Sequence, residues 1–283
     1  MDRLLTDDEI RGFLDRLDVH DVDLSVSHAD DIDLLDELTY SHQTHIPFQT
    51  ISIHDSGEVP ATDTDSLYEK IVEKGWGGYC YEVNKLYQTL LQSLGYDARS
   101  AVCRFIRGRD VIPPLNHRTT LVSTPEGYRY VDVGMGGPVP PISLLLEDGL
   151  EQDLNGETYI PVREGDDQWD IYRVTRSEHD AFDDQVPSRR QKELSIYLYD
   201  FLDQDFEELN RSCSMPGRLF RDERIVNLRQ PDGHHGIRFG KLTLKHDGKK
   251  EVIDLPDDAA LARALEEHFG IVGLVDAGDG STD

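Results

Sequence analysis

Residues 75–84 read Gly75-Trp76-Gly77-Gly78-Tyr79-Cys80-Tyr81-Glu82-Val83-Asn84, which places a cysteine close behind two adjacent glycines. The apolar spacing from Cys80 to Leu94 predicts a helix, and Gly95 is a suitable residue to end it. A thiol in the first turn of a helix lies at the positive end of the helix dipole, which favours the thiolate. We therefore predict that Cys80 is a nucleophile, while a buried and inert cysteine is the competing interpretation.

The two glycines before the cysteine indicate the same chemistry. Gly77 and Gly78 let the backbone approach a ligand closely. A turn of this kind can present its N–H groups to the negative charge that develops on a substrate oxygen. We predict that the backbone N–H groups of Gly78 and Cys80 act as oxyanion donors.

A predicted hairpin places a histidine and an aspartate on one face. The turn expected at Thr124-Pro125-Glu126-Gly127 joins two strand-like segments. With the middle two turn residues at the tip, His117 and Asp132 are diagonal neighbours, about 7 Å apart at Cβ. An odd loop length would place them on opposite faces, where they would be a solvated histidine and a structural aspartate. Cys80, His117 and Asp132, in this chain order, are the set that thiol acyl transfer requires.

Composition narrows the possible partners of the chain. Its 283 residues include 37 Asp, 19 Glu, 21 Arg and 8 Lys, and the formal net charge is −27. The excess of aspartate favours a hydrated acidic surface whose self-repulsion is tolerated when salt screens it, as in salt-adapted proteins; an ordinary acidic protein is the alternative. We do not expect a nucleic-acid partner, because no basic stripe could neutralise phosphates.

Cysteine usage and hydropathy exclude further classes. The three cysteines are Cys80, Cys103 and Cys213, an odd and widely spaced set that favours neither a disulfide framework nor a structural zinc site. We predict that Cys103 is a buried apolar residue, and we assign no role to Cys213. No apolar run approaches the ~18 residues that span a membrane. The N-terminus also lacks the apolar core of a signal peptide, so we predict a cytoplasmic protein without a bound metal or membrane partner.

The segment from Gly77 to Asn84 resembles the active-site segment of the arylamine N-acetyltransferase family, which reads Arg-Gly-Gly-x-Cys-x-Glu-x-Asn in many bacterial members. Three further segments resemble that family in order and spacing: Ile46-Pro47-Phe48-Gln49, Asn116-His117-Arg118 and Val131-Asp132-Val133-Gly134-Met135-Gly136. The resemblance spans residues 40–245. The departures are Trp76 for the usual Arg, Gln49 and Thr50 for the usual Glu-Asn, and Met135 where Phe is common. They concern the identity of the substrate more than the chemistry.

The resemblance implies a ping-pong acetyl transfer with acetyl-CoA as the donor substrate and no bound cofactor. Cys80 would be held as a thiolate against a protonated His117, whose ring Asp132 orients. The acceptor would be an arylamine, a hydrazine or a related nucleophile. By the same resemblance, Phe48, Phe105 and Met135 would line the acceptor pocket; ordinary core packing is the alternative for each.

The patterns and the resemblance together predict a mixed α+β fold with a cysteine-protease-like Cys-His-Asp core. We expect residues 147–167 to be a loop and residues 188–209 to be helical. The predicted division is an N-terminal helical domain at 1–95 carrying the nucleophile, an antiparallel β-barrel-like domain at 96–187 carrying the histidine and aspartate, a C-terminal α/β lid at 188–275 and a disordered tail at 276–283.

Three other functions stay open on the sequence. The first is an amide synthase of the same fold that uses a tethered acyl donor, and the second is a hydrolase or transglutaminase-like enzyme with a Cys-His-Asp triad. The third is a non-catalytic relative that binds a ligand and whose cysteine is inert. The last would be favoured if iodoacetamide modified Cys80 no faster than Cys103 or Cys213. The sequence does not indicate an oligomeric state.

Overall fold

The computed structural model describes residues 3–135, 137, 139–175 and 189–276. Its first part is helical, and the apolar sides of these helices form one core in which Phe13, Leu17, Leu35 and Leu38 are fully buried. The predicted helix at Cys80 is confirmed. The elements are α1 (Asp7–Leu17), α2 (Ile32–His45), the short strand β1 (Phe48–Gln49), α3 (Ile51–Ser56), α4 (Thr64–Tyr68), a π-helical turn (Glu69–Glu73) and α5 (Cys80–Ser93).

An eight-stranded antiparallel sheet follows, in the order β5-β4-β3-β2-β9-β8-β7-β6. Its edge strands are joined by Gln152 of β6, whose amide bonds both the N–H and the C=O of Leu145 in β5 (3.1 and 2.9 Å). The sheet therefore closes into a barrel-like form. The strands are β2 (Asp97–Phe105), β3 (His117–Thr124), β4 (Gly127–Val131), β5 (Leu144–Leu145), β6 (Gln152–Leu154), β7 (Glu157–Arg163), β8 (Gln168–Thr175) and β9 (Arg189–Tyr197).

The register of the β3–β4 hairpin is the predicted one. Thr124 pairs with Gly127, and Thr120 pairs with Val131. The turn holds two residues, so two paired residues lie on the same face of the hairpin, and so do the residues two positions further along either strand. His117 and Asp132 therefore lie on the same side of the sheet, as the turn sequence indicated.

Two predictions of local structure are wrong. Residues 147–167, expected to be a loop, contain β6 and β7, because Asn155 and Gly156 both adopt positive φ (51° and 84°) and form a tight hairpin turn. The first half of 188–209, expected to be helical, is strand β9, in which Leu194 and Ile196 alternate into the core between β2 and β8. The buried apolar residues of this segment recur at every second position, as in a strand, and not at the spacing of a helix.

The C-terminal part combines a second sheet with helices. The order of its five strands is β1-β10-β11-β12-β13, so the N-terminal strand β1 belongs to it. Helix α8 covers this sheet, with Leu261, Leu265 and Phe269 packed in a common cluster with Val226 and Ile237. The elements are α6 (Asp203–Cys213), α7 (Leu219–Asp222), β10 (Val226–Gln230), β11 (Gly233–Arg238), β12 (Lys241–His246), β13 (Lys249–Asp254) and α8 (Asp258–Phe269).

This architecture confirms the predicted mixed α+β fold. The division into domains stays a prediction, and two strands cross its boundaries: β9 completes the barrel-like sheet beyond residue 187, and β1 joins the C-terminal sheet. Residues 277–283 of the predicted tail lie outside the described residues. None of the helices in the described part of the chain is long and apolar enough to cross a membrane.

Candidate active site

Cys80 is the first residue of α5, and the backbone just before it is held by Glu82. One carboxylate oxygen of Glu82 accepts a hydrogen bond from the Tyr79 N–H (3.1 Å), which satisfies a donor at the helix start. The other pairs with Lys70 Nζ at 2.5 Å. Glu82 is buried, so this ion pair fixes the entry of the chain into the helix that carries the thiol.

The glycines bring this turn against β1. Gly77 has φ of 67°, and a Cβ there would lie 2.0 Å from the carbonyl oxygen of Pro47. The Gly78 N–H donates to that same carbonyl (3.2 Å), and the Gly78 C=O accepts from the Gln49 N–H (3.0 Å). The Gly78 N–H is thus already bonded to Pro47, which leaves the N–H of Cys80 as the predicted backbone donor to a substrate oxygen.

His117 and Asp132 form a hydrogen-bonded pair. The Nε2 atom of His117 lies 2.5 Å from Oδ2 of Asp132, and both side chains are buried. The ring of Phe105 packs edge-on against the imidazole, with 4.3 Å between ring centroids. Because Nε2 faces the carboxylate, Nδ1 is the ring nitrogen left to exchange a proton with another group.

The carboxylate of Asp132 receives four hydrogen bonds. Besides His117, its Oδ2 accepts from the Tyr130 hydroxyl (2.7 Å), and its Oδ1 accepts from Asn84 Nδ2 (3.0 Å) and the Gly134 N–H (2.9 Å). Burial alone would raise the pKa of this carboxyl. The charge of His117 and the hydrogen bonds outweigh burial and hold the pKa below its usual value. The carboxylate is therefore ionised and faces the imidazole.

Asn84 is the last residue of the motif around Cys80, and the sequence analysis assigned it no contact or role. Its Nδ2 donates to the Arg118 carbonyl (2.7 Å) as well as to Asp132, and its Oδ1 accepts from the Val133 N–H (3.0 Å). Asn84 follows Cys80 by four residues and so lies on the same face of α5. One fully buried amide thus ties the thiol-bearing helix to both strands of the hairpin. The available signal was the asparagine at the end of the motif, four residues after the cysteine.

The charge of the Cys80 thiol depends on more than its place at a helix start. Burial is the largest influence and raises the pKa of the thiol well above its usual value, and the nearby Cys213 adds to this. The backbone N–H groups of Arg118 and Tyr81 act in the opposite direction. Burial therefore opposes the thiolate that the helix start favours, and ionisation of the thiol needs a base.

Cys80 and His117 open into one cavity of about 700 Å³. Phe48, Phe105 and Met135, which the sequence assigned to an acceptor pocket, line the same cavity. Gly134 lies against Cys80, since a Cβ there would come within 2.8 Å of the Cys80 Cα. The structure thus brings together all six side chains of the predicted site, with Asp132 directly behind His117.

The cavity is lined by cations, which sequence reasoning missed. Arg107 and Arg109 come from the loop after β2, Arg238 from the end of β11, and Lys245 and Lys250 from β12 and β13. The formal charge of the whole chain is −27, so this wall opposes the sign of the rest of the surface. Within the described ranges, no three His, Cys, Asp or Glu side chains are placed to hold a metal ion.

The residues that depart from the motif contact the C-terminal part. Trp76 donates from Nε1 to the Val272 carbonyl (2.8 Å) and packs against the cluster beneath α8. The hydroxyl of Thr50 bonds the Glu223 carbonyl and the Ile225 N–H (both 2.9 Å). Glu82 forms its ion pair with Lys70 and not with residue 76, the position at which the family motif usually has Arg. The nucleophile turn and β1 are therefore anchored to the C-terminal segment.

Comparison with known proteins gives consistent results. The profile of a family described as N-acetyltransferase matches residues 31–276. The arylamine N-acetyltransferase of Escherichia coli K12 is 30% identical over 274 residues, which cover 92% of this chain and 89% of that protein. The solved arylamine N-acetyltransferase of Salmonella typhimurium superposes with a TM-score of 0.82 at 24% identity, covering 99% of this chain and 96% of that one. That of Mycobacterium marinum, in complex with CoA, gives 0.78 at 27% identity, covering 93% and 92%.

The fold and the site define an α+β protein with a buried cysteine beside a histidine–aspartate pair, the arrangement of thiol-dependent group transfer. The chain belongs to the arylamine N-acetyltransferase family and is an acyltransferase.

Proposed function

We propose that this protein transfers an acetyl group from acetyl-CoA to an arylamine, a hydrazine or a related nitrogen nucleophile through an acetyl-Cys80 intermediate. One observation carries the proposal: the hydrogen-bonded His117–Asp132 pair and the Cys80 thiol meet at a single cavity. The free donor and acceptor need not be bound together, because the acetyl group waits on the enzyme between the two half-reactions.

In the first half-reaction, His117 Nδ1 accepts the proton of the Cys80 thiol as the sulfur attacks the carbonyl carbon of the thioester. The backbone N–H of Cys80 donates to the oxyanion of the tetrahedral intermediate. The bond to the sulfur of coenzyme A then breaks, and His117 returns the proton to that leaving thiolate. One thioester replaces another, so the step is nearly thermoneutral and the acetyl group stays activated.

In the second half-reaction, the nitrogen of the acceptor attacks the carbonyl carbon of acetyl-Cys80. His117 accepts a proton from the nitrogen and passes it to the Cys80 sulfur as the C–S bond breaks. The products are the N-acetylated acceptor and the free thiol. Asp132 stabilises the imidazolium in both steps, since its carboxylate is ionised and bonded to Nε2.

The cavity lining supports both substrates. Coenzyme A carries several phosphate charges, and the five cations of the lining offer partners of opposite sign. The Mycobacterium marinum relative was solved with CoA, which supports the same donor here. Phe48, Phe105 and Met135 would contact the aromatic ring of the acceptor at the apolar end beside Cys80.

Intact-protein mass spectrometry tests the intermediate. The protein is mixed with acetyl-CoA without acceptor, in dilute buffer and in molar salt. We expect an acetyl-sized mass increase on the wild type and none on Cys80→Ser. Cys103→Ser and Cys213→Ser are matched controls, because all three cysteines are buried, and both should still be acetylated. A folded, reduced wild type that gains no mass in either buffer would rule out the mechanism.

The donor contacts are tested by steady-state kinetics. We expect Arg109→Gln and Lys250→Gln to raise the KM for acetyl-CoA several-fold with little change in kcat, since each removes a cation from the wall and leaves the triad intact. Lys74→Gln is a suitable control, because Lys74 is exposed, pairs with Glu69 of the π-helical turn and does not line the cavity. Equal KM values for all three variants would show that these cations of the cavity lining do not bind acetyl-CoA.

A further inference from the structure

Asp203, the first residue of α6, contacts both segments that carry the nucleophile and the base. Its Oδ2 accepts a hydrogen bond from Lys85 Nζ of α5 at 2.7 Å. Its Oδ1 accepts from Arg118 Nη2 of β3 at 2.8 Å. Lys85 follows Cys80 by five residues, and Arg118 directly follows His117. One carboxylate therefore bridges the helix that holds the thiol and the strand that holds the imidazole.

The two cations in this bridge are buried, whereas the carboxylate is not. The side chains of Lys85 and Arg118 are 6% and 1% exposed, against 44% for Asp203. The guanidinium of Arg118 also stacks over the ring of Phe206, 4.3 Å from its centroid, and donates to the Ser100 hydroxyl. Asp203 supplies the carboxylate that both buried cations share, so loss of its charge would disturb the two side chains together.

The backbone of Arg118 is part of the active site. Its carbonyl accepts from Asn84, the amide that also holds Asp132. Its N–H faces the Cys80 thiol and lowers the pKa of that thiol against the effect of burial. A shift of Arg118 would therefore displace His117, Asn84 and the N–H beside the sulfur at the same time.

We propose that Asp203 is a positioning residue that sets the placement of His117 relative to Cys80. The inference rests on the proposed roles of these two residues in acetyl transfer. Partial burial of Asp203 opposes its ionisation, but the hydrogen bonds from Lys85 and Arg118 outweigh it and hold its pKa below the usual value. The bridge is therefore charged at neutral pH.

The test compares Asp203→Asn with Asp205→Asn. Both changes remove a carboxylate from the first turn of α6, but Asp205 bonds the Leu202 N–H of its own helix start rather than α5 or β3. We expect Asp203→Asn to lower kcat between about tenfold and about 100-fold, because small misplacements of reacting groups have effects of this size. The KM for acetyl-CoA should change less than about threefold, and Asp205→Asn should resemble the wild type.

The pH dependence of Cys80 alkylation by iodoacetamide separates positioning from charge. Loss of a nearby negative charge would by itself lower the pKa of the thiol. Displacement of His117 and of the Arg118 N–H removes stabilisation of the thiolate instead. We therefore expect the midpoint of alkylation to rise by about one pH unit in Asp203→Asn. Asp203→Glu, which keeps the charge but moves it by one methylene, should give intermediate values of kcat and of the midpoint.

Each outcome decides the inference. A kcat and midpoint of Asp203→Asn that match those of Asp205→Asn overturn it, and so does a midpoint that falls. If Asp203→Asn lacks a cooperative unfolding transition, Asp203→Glu decides: reduced kcat with a raised midpoint supports positioning, and wild-type values overturn it. The proposed function fails separately, since it requires that wild-type Cys80 be acetylated whatever the Asp203 variants do.

Discussion

His117 and His42 are both buried histidines, and their surroundings are opposite. His117 is bonded to Asp132, whereas neither ring nitrogen of His42 has a hydrogen-bond partner among the described residues. His42 lies between the rings of Phe13 and Tyr87, at 6.0 and 5.3 Å between centroids. Burial, followed by the charge of Arg16, lowers the pKa of His42 to about 3. Burial and a neighbouring cation thus keep the His42 imidazole neutral, whereas the His117 imidazole has a carboxylate as its partner.

The difference between these two surroundings originates in Asp132. Its own burial would favour the protonated acid, and its hydrogen-bond donors reverse that preference. Asn84, Tyr130 and the Gly134 N–H keep the carboxylate charged, and the charged carboxylate is the hydrogen-bond partner of the His117 ring. The contrast with His42 can be tested by removing the carboxylate, then its support, then His42 itself.

Asp132→Asn would make the surroundings of His117 resemble those of His42 most directly. The shape is retained, but the imidazolium loses its counter-charge and the ring can adopt the wrong tautomer. We expect kcat to fall by about 10³–10⁴-fold, as for the corresponding change in other triads. Single-turnover acetylation of Cys80 followed by mass spectrometry measures the loss. A decrease of less than about tenfold in a folded variant would show that His117 works without the carboxylate.

The hairpin that sets up this pair was predictable, because its information is local. The turn at 124–127 fixes the register, and the register fixes which residues share a face. The donors that keep Asp132 ionised were harder to predict from the sequence. Asn84 is 48 residues away from Asp132 in sequence, and its hydrogen bond to Asp132 exists only once α5 packs on β3 and β4. The cations of the cavity come from loops and strands more than 100 residues apart for the same reason.

Some predictions failed although the local signal was present in the sequence. Asn155-Gly156 is a strong two-residue hairpin signal, but the surrounding acidic residues suggested a loop. The oxyanion role of Gly78 is a different case. Its N–H donates to the Pro47 carbonyl, and no feature of the glycine pair alone indicates that this N–H would be bonded there.

Asn84→Ala tests the support of the carboxylate. The change leaves the Val133 N–H and one oxygen of Asp132 without this partner in a fully buried site. We expect the free energy of unfolding to fall by about 3 kcal/mol, measured by urea denaturation. Thr89→Ala is the control on the same helix, because its buried hydroxyl bonds the Lys85 carbonyl one turn earlier within α5, and it should cost about 1 kcal/mol. Equal losses for the two variants would mean that Asn84 is an ordinary helix residue.

His42→Phe tests the unpartnered histidine. The folded-state pKa of about 3 lies below the unfolded value of about 6.5. Below about pH 6.5 the unfolded state binds a proton on His42 that the folded state does not bind. The contribution of His42 to the free energy of unfolding is therefore fully present above about pH 6.5 and is lost as the pH falls toward 3. Between pH 7 and pH 5 the wild type should lose about 2 kcal/mol more of its unfolding free energy than His42→Phe. Urea unfolding at constant salt measures both curves, and parallel curves would assign His42 a partner.

Tyr130→Phe makes the smallest change, since it removes one of the four donors to Asp132 and leaves the packing intact. The Tyr130 hydroxyl bonds the same oxygen as His117, at 2.7 Å, and lowers the pKa of the carboxyl. Its loss raises that pKa, so on acidification Asp132 is protonated at a higher pH and activity declines earlier. We expect the acid limb of kcat/KM to move up by less than one pH unit and kcat at pH 7 to fall about two- to fivefold, within the range of a single hydrogen bond whose acceptor keeps three other donors. Tyr128→Phe, an exposed tyrosine on the same strand, should leave both unchanged. An acid limb that stays in place would mean that His117 and Asn84 alone keep Asp132 ionised, and the contrast with His42 would then depend on those two contacts.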